Sequence, residues 1–279
     1  MRLASYIQDN VVRLGAVTDA GLVDLSDRWP SIKSALSTAS TDEIRSAADV
    51  GKARPLDGIT FAQPVPDPEK IICVGLNYRK HAEEAGIAIP DQPSLFVRFP
   101  SSQVAHEQPV VRPKVSEQLD FEGELAVVIG RRARYVSEAD AMAYVGGYTC
   151  FGEHSVRDWQ GHSRQVTPGK NFWHSGAMGP WLVTADEIPD PTDLMLTTRL
   201  NGEVVQHEGT SDLIFSIPYL ISYISNFTVL EPGDVIVTGT PSGVGFTRKP
   251  PLFMKAGDRV EVEISRIGIL SNPVVDEES

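Results

Sequence analysis

Short apolar runs separated by polar turns fill most of the chain, and their period changes along it. In residues 1 to about 64 the runs are brief, as in Val11-Val12-Arg13-Leu14-Gly15-Ala16-Val17 and Leu22-Val23-Asp24-Leu25, which predicts a small β-rich unit. Helices are expected over Ser31 to Leu36 and over Thr41 to Val50, where Thr41 and Asp42 offer N-capping oxygens. Pro64, Pro66 and Pro68 stiffen residues 62–68 into an extended linker. A boundary is therefore expected there, with residues 1-64 as a small N-terminal α+β domain and 65-279 as the main domain.

Beyond the linker, Lys70 to Leu76 reads as a buried strand that hands over to a helical turn at Asn77 to Gly86. Leu95 to Phe99 alternates like a strand, and Ser137 to Tyr144 suits a helix. From Gly179 onward strands dominate: residues 181–184 and 194–200, the hairpin signal Asn201-Gly202, and the return strand 203–206. One helix is expected within Ser211 to Ile224, followed by strands over 235–238, 259–264 and 267–270.

The stretch Leu119 to Gly130 breaks this pattern, because Glu122 and Glu124 stand two apart directly ahead of a continuous apolar run. Side chains two apart on a strand share a face, and adjacent buried carboxylates repel unless positive charge lies between them. A divalent cation is the simplest remedy, and oxygen-only ligands suit Mg²⁺, Mn²⁺ or Ca²⁺ better than zinc. An edge strand with two solvated glutamates is the plain alternative.

Other stretches carry candidate chemistry. His81 and Glu84 are three apart on a helical turn and therefore neighbours, so Glu84 can orient the imidazole as a general base; a surface ion pair would share that spacing. Residues 86–94 then form a connection placed to close over a substrate. Glu153, His154, Arg157 and Asp158 crowd six positions, and Lys170 follows Pro168-Gly169 beside aromatics, suited to an anionic substrate or simply to solvent. The glycine-rich loop Gly239 to Gly245 matches neither the dinucleotide fingerprint nor the P-loop, which excludes nucleotide binding on those motifs. Its backbone N–H groups still suit a carboxylate or oxyanion.

An apolar fraction of 41% with 22% charged residues is that of an ordinary globular protein, and 23 Gly with 20 Pro favours many turns. The net charge of −12 argues against nucleic acid or an anionic membrane as partner. Cys73 and Cys150 lie in apolar surroundings without metal-type spacing. Without a secretory pattern or a long apolar span, they point to two core thiols in a reducing cytoplasm.

Taken together and in order, these motifs resemble the fumarylacetoacetate hydrolase family over about residues 68 to 275. The motifs are Gly75-Leu76-Asn77-Tyr78 with His81 and Glu84, Phe121-Glu122-Gly123-Glu124-Leu125, Gly147-Tyr148-Thr149 with Ser155-Val156-Arg157-Asp158, Gly169-Lys170-Asn171-Phe172, Asn201-Gly202-Glu203, and Pro232-Gly233-Asp234 with the glycine loop. The resemblance implies an α+β protein with a mixed β-roll catalytic domain behind the small β-rich N-terminal one. It also implies a homodimer, Mg²⁺ or Mn²⁺ held by three carboxylates, and small 2-oxo or 2,4-dioxo acids as substrates.

Carried over by position, the metal ligands are Glu122, Glu124 and Glu153, the catalytic residues His81, Glu84 and Lys170, and the substrate-binding residues Arg157, Gln160, Gly239 and Thr240. One departure stands out: the family usually has Asp where this chain has Glu153, followed by His154 as a rival ligand. The reading expected from these roles is hydrolysis of a carbon–carbon bond in an acylpyruvate-type acid, with His81 and Glu84 activating water. The alternatives are a decarboxylase or keto–enol tautomerase of a 2-oxo diacid such as oxaloacetate, and a metal-free binding protein on the same fold.

Overall fold

The computed structural model describes residues 1–278. Its main sheet runs in the order Ala53–Arg54, Gly21–Asp24, Val11–Thr18, Arg2–Gln8, Gly176–Thr184, Val145–Gly152, Gly123–Ile129, Val235–Val237, Ile71–Gly75 and Ser94–Arg98, with two short strands off this path. A second sheet runs Glu203–Gly209, Met195–Leu200, Arg259–Ile264, Gly268–Asp276 and Val110–Arg112. Most neighbours are antiparallel, but Val235–Val237 lies parallel to Ile71–Gly75 and Gly268–Asp276 parallel to Val110–Arg112. This is the mixed α+β roll that the resemblance implies.

The strand Gly123–Ile129 explains the unbroken apolar run. All seven residues are buried. Leu125, Val127 and Ile129 enter the core shared with Leu196, Leu200, Val260, Val262 and Leu270 of the second sheet. Ala126 and Val128 face the opposite core, with Ile32, Ala35 and Ile44 from the N-terminal helices. A strand covered on both faces has no polar side to show, so its sequence need not alternate. Removing the Leu125 side chain beyond Cβ would cost about 2–5 kcal/mol.

The N-terminal residues add to this frame. Arg2–Gln8 pairs antiparallel with Gly176–Thr184, and Leu3, Leu14 and Ile44 share a core with Cys73 and Ala126. Strand pairing and core packing thus run across residue 64.

The helices Ile32–Thr38 and Thr41–Val50 form as expected, but Ser40 caps the second, through a reciprocal capping box with Glu43. The expected caps Thr41 and Asp42 lie inside the first turn. The later helix starts at Ile217 rather than near Ser211, because Ser216 supplies the cap and Pro218 fits only the first turn. Residues Glu138–Tyr144 make a 3₁₀ helix. At Asn201-Gly202 both residues have positive φ, 54° and 83°, as a tight hairpin requires. Cys73 and Cys150 are buried free thiols.

Candidate active site

Glu122, Glu124 and Glu153 converge on a cavity of about 410 Å³ that is also lined by His81, Arg157, Gln160, Lys170 and Thr240. Each glutamate is buried, and one carboxylate oxygen of each lies within 4.8 Å of the others. Glu122 and Glu124 flank Gly123, where a Cβ would stand 2.1 Å from Thr198 Oγ1 of the second sheet, so the position admits only glycine. The Gly123 N–H donates to Gln206 Oε1 (2.9 Å), and its carbonyl accepts from Thr240 Oγ1 (3.0 Å). Gln206 Nε2 in turn donates to Thr240 Oγ1 (2.9 Å). The backbone between the two glutamates is therefore held from both sides by buried hydrogen bonds.

Cations thread the cluster. Lys170 Nζ lies 2.8 Å from Glu122 Oε2 and 2.5 Å from Glu153 Oε2. Arg157 Nε donates to Asp120 Oδ2 (2.8 Å), and its Nη2 lies 2.6 Å from Glu122 Oε1, outside hydrogen-bonding geometry. Arg98, fully buried, donates from Nη1 to Glu153 Oε1 (2.9 Å) and the His154 carbonyl (3.0 Å), and from Nη2 to Ser175 Oγ (2.8 Å). Among the described residues Glu124 makes no ion pair and accepts only the Gly239 N–H (2.5 Å). Gly239 has φ +109°, and a Cβ there would come within 2.7 Å of Asn77 Cβ, so this N–H reaches Glu124 because the residue is glycine.

The electrostatic consequence is unequal. Burial pushes the Glu122 carboxyl up, but the Arg157 guanidinium and the Lys170 ammonium together outweigh it and hold the group below its ordinary value. Burial, then repulsion from Glu153 and Glu122, holds Glu124 well above the usual range. Glu153 is pushed up to about 7, chiefly by burial. With all four buried carboxyls ionised, counting Asp120, the cluster carries one more negative charge than its three cations balance, which is why Glu124 and Glu153 favour their protonated forms. An all-oxygen donor set with unbalanced negative charge fits a hard divalent ion. His154 is not placed to join that set: burial keeps its imidazole neutral, but Nδ1 accepts the Glu122 N–H (3.4 Å) and Nε2 packs against Gly152.

The imidazole of His81 enters from the helix Arg79–Ala85, with Nδ1 3.2 Å from Glu84 Oε2. Glu84 is fixed by the glycine loop and the 3₁₀ turn that follows it, accepting the Gly243 N–H (3.1 Å) and the Thr247 hydroxyl (3.1 Å). The turn into this helix is pinned by buried Asn77, which bonds the Phe215 N–H (2.8 Å) and the Thr238 carbonyl (2.7 Å). The sequence-predicted residues His81, Glu122, Glu124, Glu153, Arg157, Gln160, Lys170 and Thr240 thus share one cavity. Glu84 and Gly239 stand behind it, each holding a residue that lines it. Sequence reasoning missed Arg98, Asp120, Gln206 and Asn77. For Arg98 a signal existed, a lone charge at an inward position of an alternating strand.

The family model described as fumarylacetoacetate (FAA) hydrolase C-terminal matches residues 70–275. This chain belongs to the fumarylacetoacetate hydrolase family. "Oxaloacetate tautomerase Fahd2a, mitochondrial" from Rattus norvegicus is 39% identical over 98% of this chain and 90% of its own length. "Oxaloacetate tautomerase FAHD2A, mitochondrial" from Homo sapiens is 44% identical over 79% of this chain and 71% of its own. Among solved structures, maleylpyruvate hydrolase from Sphingobium sp. SYK-6, in complex with manganese(II) ion and pyruvate, superposes with a TM-score of 0.83 at 29% identity, covering 100% of both chains.

Family membership makes the chain an enzyme acting on a small molecule. The tautomerase names of relatives at this identity overturn the expectation of hydrolytic carbon–carbon cleavage. Two carboxylates, a metal-binding pattern and a base are common to both chemistries, so the motifs alone could not separate them. No helix among the described residues is long and apolar enough to cross a membrane. The rat and human relatives are named mitochondrial, a location at odds with the cytoplasmic expectation.

Proposed function

We propose that this enzyme is a metal-assisted keto–enol tautomerase of small 2-oxo diacids, with oxaloacetate as the reference substrate. The observation that carries the reading is the buried Glu122, Glu124 and Glu153 cluster facing the same cavity as His81, in a chain related along nearly its whole length to named oxaloacetate tautomerases. Glu122, Glu124 and Glu153 are taken to hold Mg²⁺ or Mn²⁺. When bound, such an ion withdraws electron density from the 2-oxo oxygen and so acidifies the neighbouring C3 hydrogen.

The remaining work falls to side chains. Glu84 engages His81 Nδ1, which leaves Nε2 for the cavity, where it takes a proton from C3. The electron pair left behind becomes the C2–C3 double bond, and negative charge moves to the 2-oxo oxygen. Lys170, which its two glutamate neighbours keep charged against the pull of burial, and Arg157 stabilise that charge. His81 then returns the proton to the same oxygen. No bond between carbons breaks and no water is consumed. The homodimer implied by the family belongs to the same proposal, and light scattering of the purified protein checks it.

The test follows the enol absorbance and product masses of oxaloacetate with Mg²⁺ or Mn²⁺ present. Relaxation to the keto–enol equilibrium without change of mass is expected, lost on chelation, and slowed about 10²–10⁴-fold in His81→Ala. Release of CO₂ as the catalysed step, or full activity in His81→Ala, would overturn the reading.

A further inference from the structure

The cavity has two unlike walls. On one side Ala85, Ile87, Ala88 and Pro90 present apolar surface that offers nothing to a carboxylate. On the other, past Gln160, Val166 and Phe246, lies an adjoining groove of about 440 Å³ that also contains Ser163 and Arg164. Arg157, Gln160, Val166 and Phe246 line both spaces.

Charge decides what the groove is suited to take. Once ionised, as a bound cation requires, the four buried carboxylates Asp120, Glu122, Glu124 and Glu153 face Arg98, Arg157 and Lys170, one cation short. A divalent ion turns that deficit into a single positive charge, which a monoanionic 2-oxo acid would neutralise. A dianion brings one more negative charge, and Lys170, Arg157 and Arg98 are already engaged with carboxylates. Arg164 is the one cation lining cavity or groove, among the described residues, with neither an ion pair nor a hydrogen bond.

Its placement is defined by the backbone. The Val166 N–H donates to the Ser163 carbonyl (3.1 Å), closing a turn with Arg164 at its corner. Val166 has φ +56°, a left-handed conformation that costs a β-branched residue free energy, and it leads directly into the helix Thr167–Lys170. Gly169 permits close approach of this helix to Gln160, whose Cα would lie 2.4 Å from a Cβ there. The Gln160 side-chain oxygen Oε1 accepts from Arg157 Nη1 (2.8 Å), and its side-chain N–H₂ has no partner among the described residues.

We propose that Arg164, with the Gln160 amide, forms the subsite for the distal carboxylate of a 2-oxo diacid and selects dianions over monoanions of the same length. This rests on the proposed site for 2-oxo acids but not on what is done to them there. Oxaloacetate and 2-oxobutanoate match in chain length and differ by a carboxylate in place of a methyl group.

The experiment measures their affinities by calorimetry with Mg²⁺ present, and oxaloacetate KM and kcat, in wild type, Arg164→Ala and Arg164→Lys. In Arg164→Ala, oxaloacetate affinity should fall about tenfold and KM rise to match, with kcat falling less than about threefold and 2-oxobutanoate affinity unmoved. Arg164→Lys should recover part of the loss. The wild-type preference should shrink with added salt, as expected of a partly exposed charge pair, and the Ala variant should lose that salt dependence. Equal weakening of both acids, or of neither, would overturn the subsite. If wild type binds both acids with an Arg164-dependent preference yet turns over neither, the subsite stands and the tautomerase reading falls.

Discussion

The floor of the cavity and its rim are built differently. On the floor, Glu122, Glu124, Glu153, Arg98, Asp120 and Lys170 are all buried and tied to strands at the centre of the main sheet by a continuous set of hydrogen bonds and ion pairs. On the rim, residues 86–93 expose Ile87 and Ile89, and the segment's one side-chain hydrogen bond to the rest of the described chain joins Gln92 to Tyr219 (3.0 Å). The difference teaches a division of labour. Groups that must hold charge at fixed separations sit where relaxation is expensive, and groups that judge the size and charge of a substrate sit where sequence and conformation vary cheaply.

The sharpest test of the floor is Arg98→Met. Removing one member of a buried ion pair costs up to about 3–5 kcal/mol; here Glu153 keeps only Lys170 as a cation, and the Ser175 hydroxyl and the His154 carbonyl also lose a donor. Urea denaturation of the metal-free protein should show that loss, and Mg²⁺ should restore more stability to the variant than to wild type. A loss below about 1 kcal/mol would mean that the floor relaxes like a surface.

A second test uses pH. The carboxyls of Glu124 and Glu153 are raised on folding, the latter from about 4.5 to about 7. The folded state therefore holds more protons than the unfolded state in that window. The Glu153 contribution to stability is complete below about pH 4.5 and is lost as pH rises through about 7, and the raised Glu124 carboxyl acts in the same direction. A bound divalent ion replaces those protons, so the Mg²⁺-induced rise in Tm should grow across the same window. Calorimetric scans at several pH values with and without Mg²⁺ read this directly, and a pH-independent Mg²⁺ effect would remove these carboxyls from the ion's site.

Local patterning carried the floor a long way into view in the sequence, and the reason is its period. Glu122 and Glu124 share strand parity and stand at the head of a continuous apolar run, so two like charges buried side by side is a reading the spacing allows, beside the solvated edge strand that the structure does not have. What spacing does not carry is who arrives from elsewhere. Gln206 and Thr198 reach Gly123 from the second sheet, about 80 residues away in the chain, and Arg98 comes from the edge strand Ser94–Arg98. Partners brought together only by tertiary packing leave no periodic trace. The same limit applies to the reaction: three carboxylates with an imidazole beside them would serve enolisation and hydrolysis alike, and it was the kinship with tautomerases rather than the pattern that spoke against hydrolysis.

The smallest effect is expected at the rim, from Tyr219→Phe. The Tyr219 hydroxyl donates to Gln92 Oε1 at an exposed position, where a neutral hydrogen bond competes with water and contributes about 0.5–1 kcal/mol. Losing it should raise amide exchange in residues 87–93 by up to about fivefold, since 1 kcal/mol corresponds to that factor. Exchange in the strand Gly123–Ile129 should not move, because none of its bonds passes through the rim. Oxaloacetate KM should change by less than about threefold, because the loop contributes apolar surface and no charge to the cavity. Coupled changes in both segments would mean that floor and rim open as one unit, and the contrast between them would then be one of exposure alone.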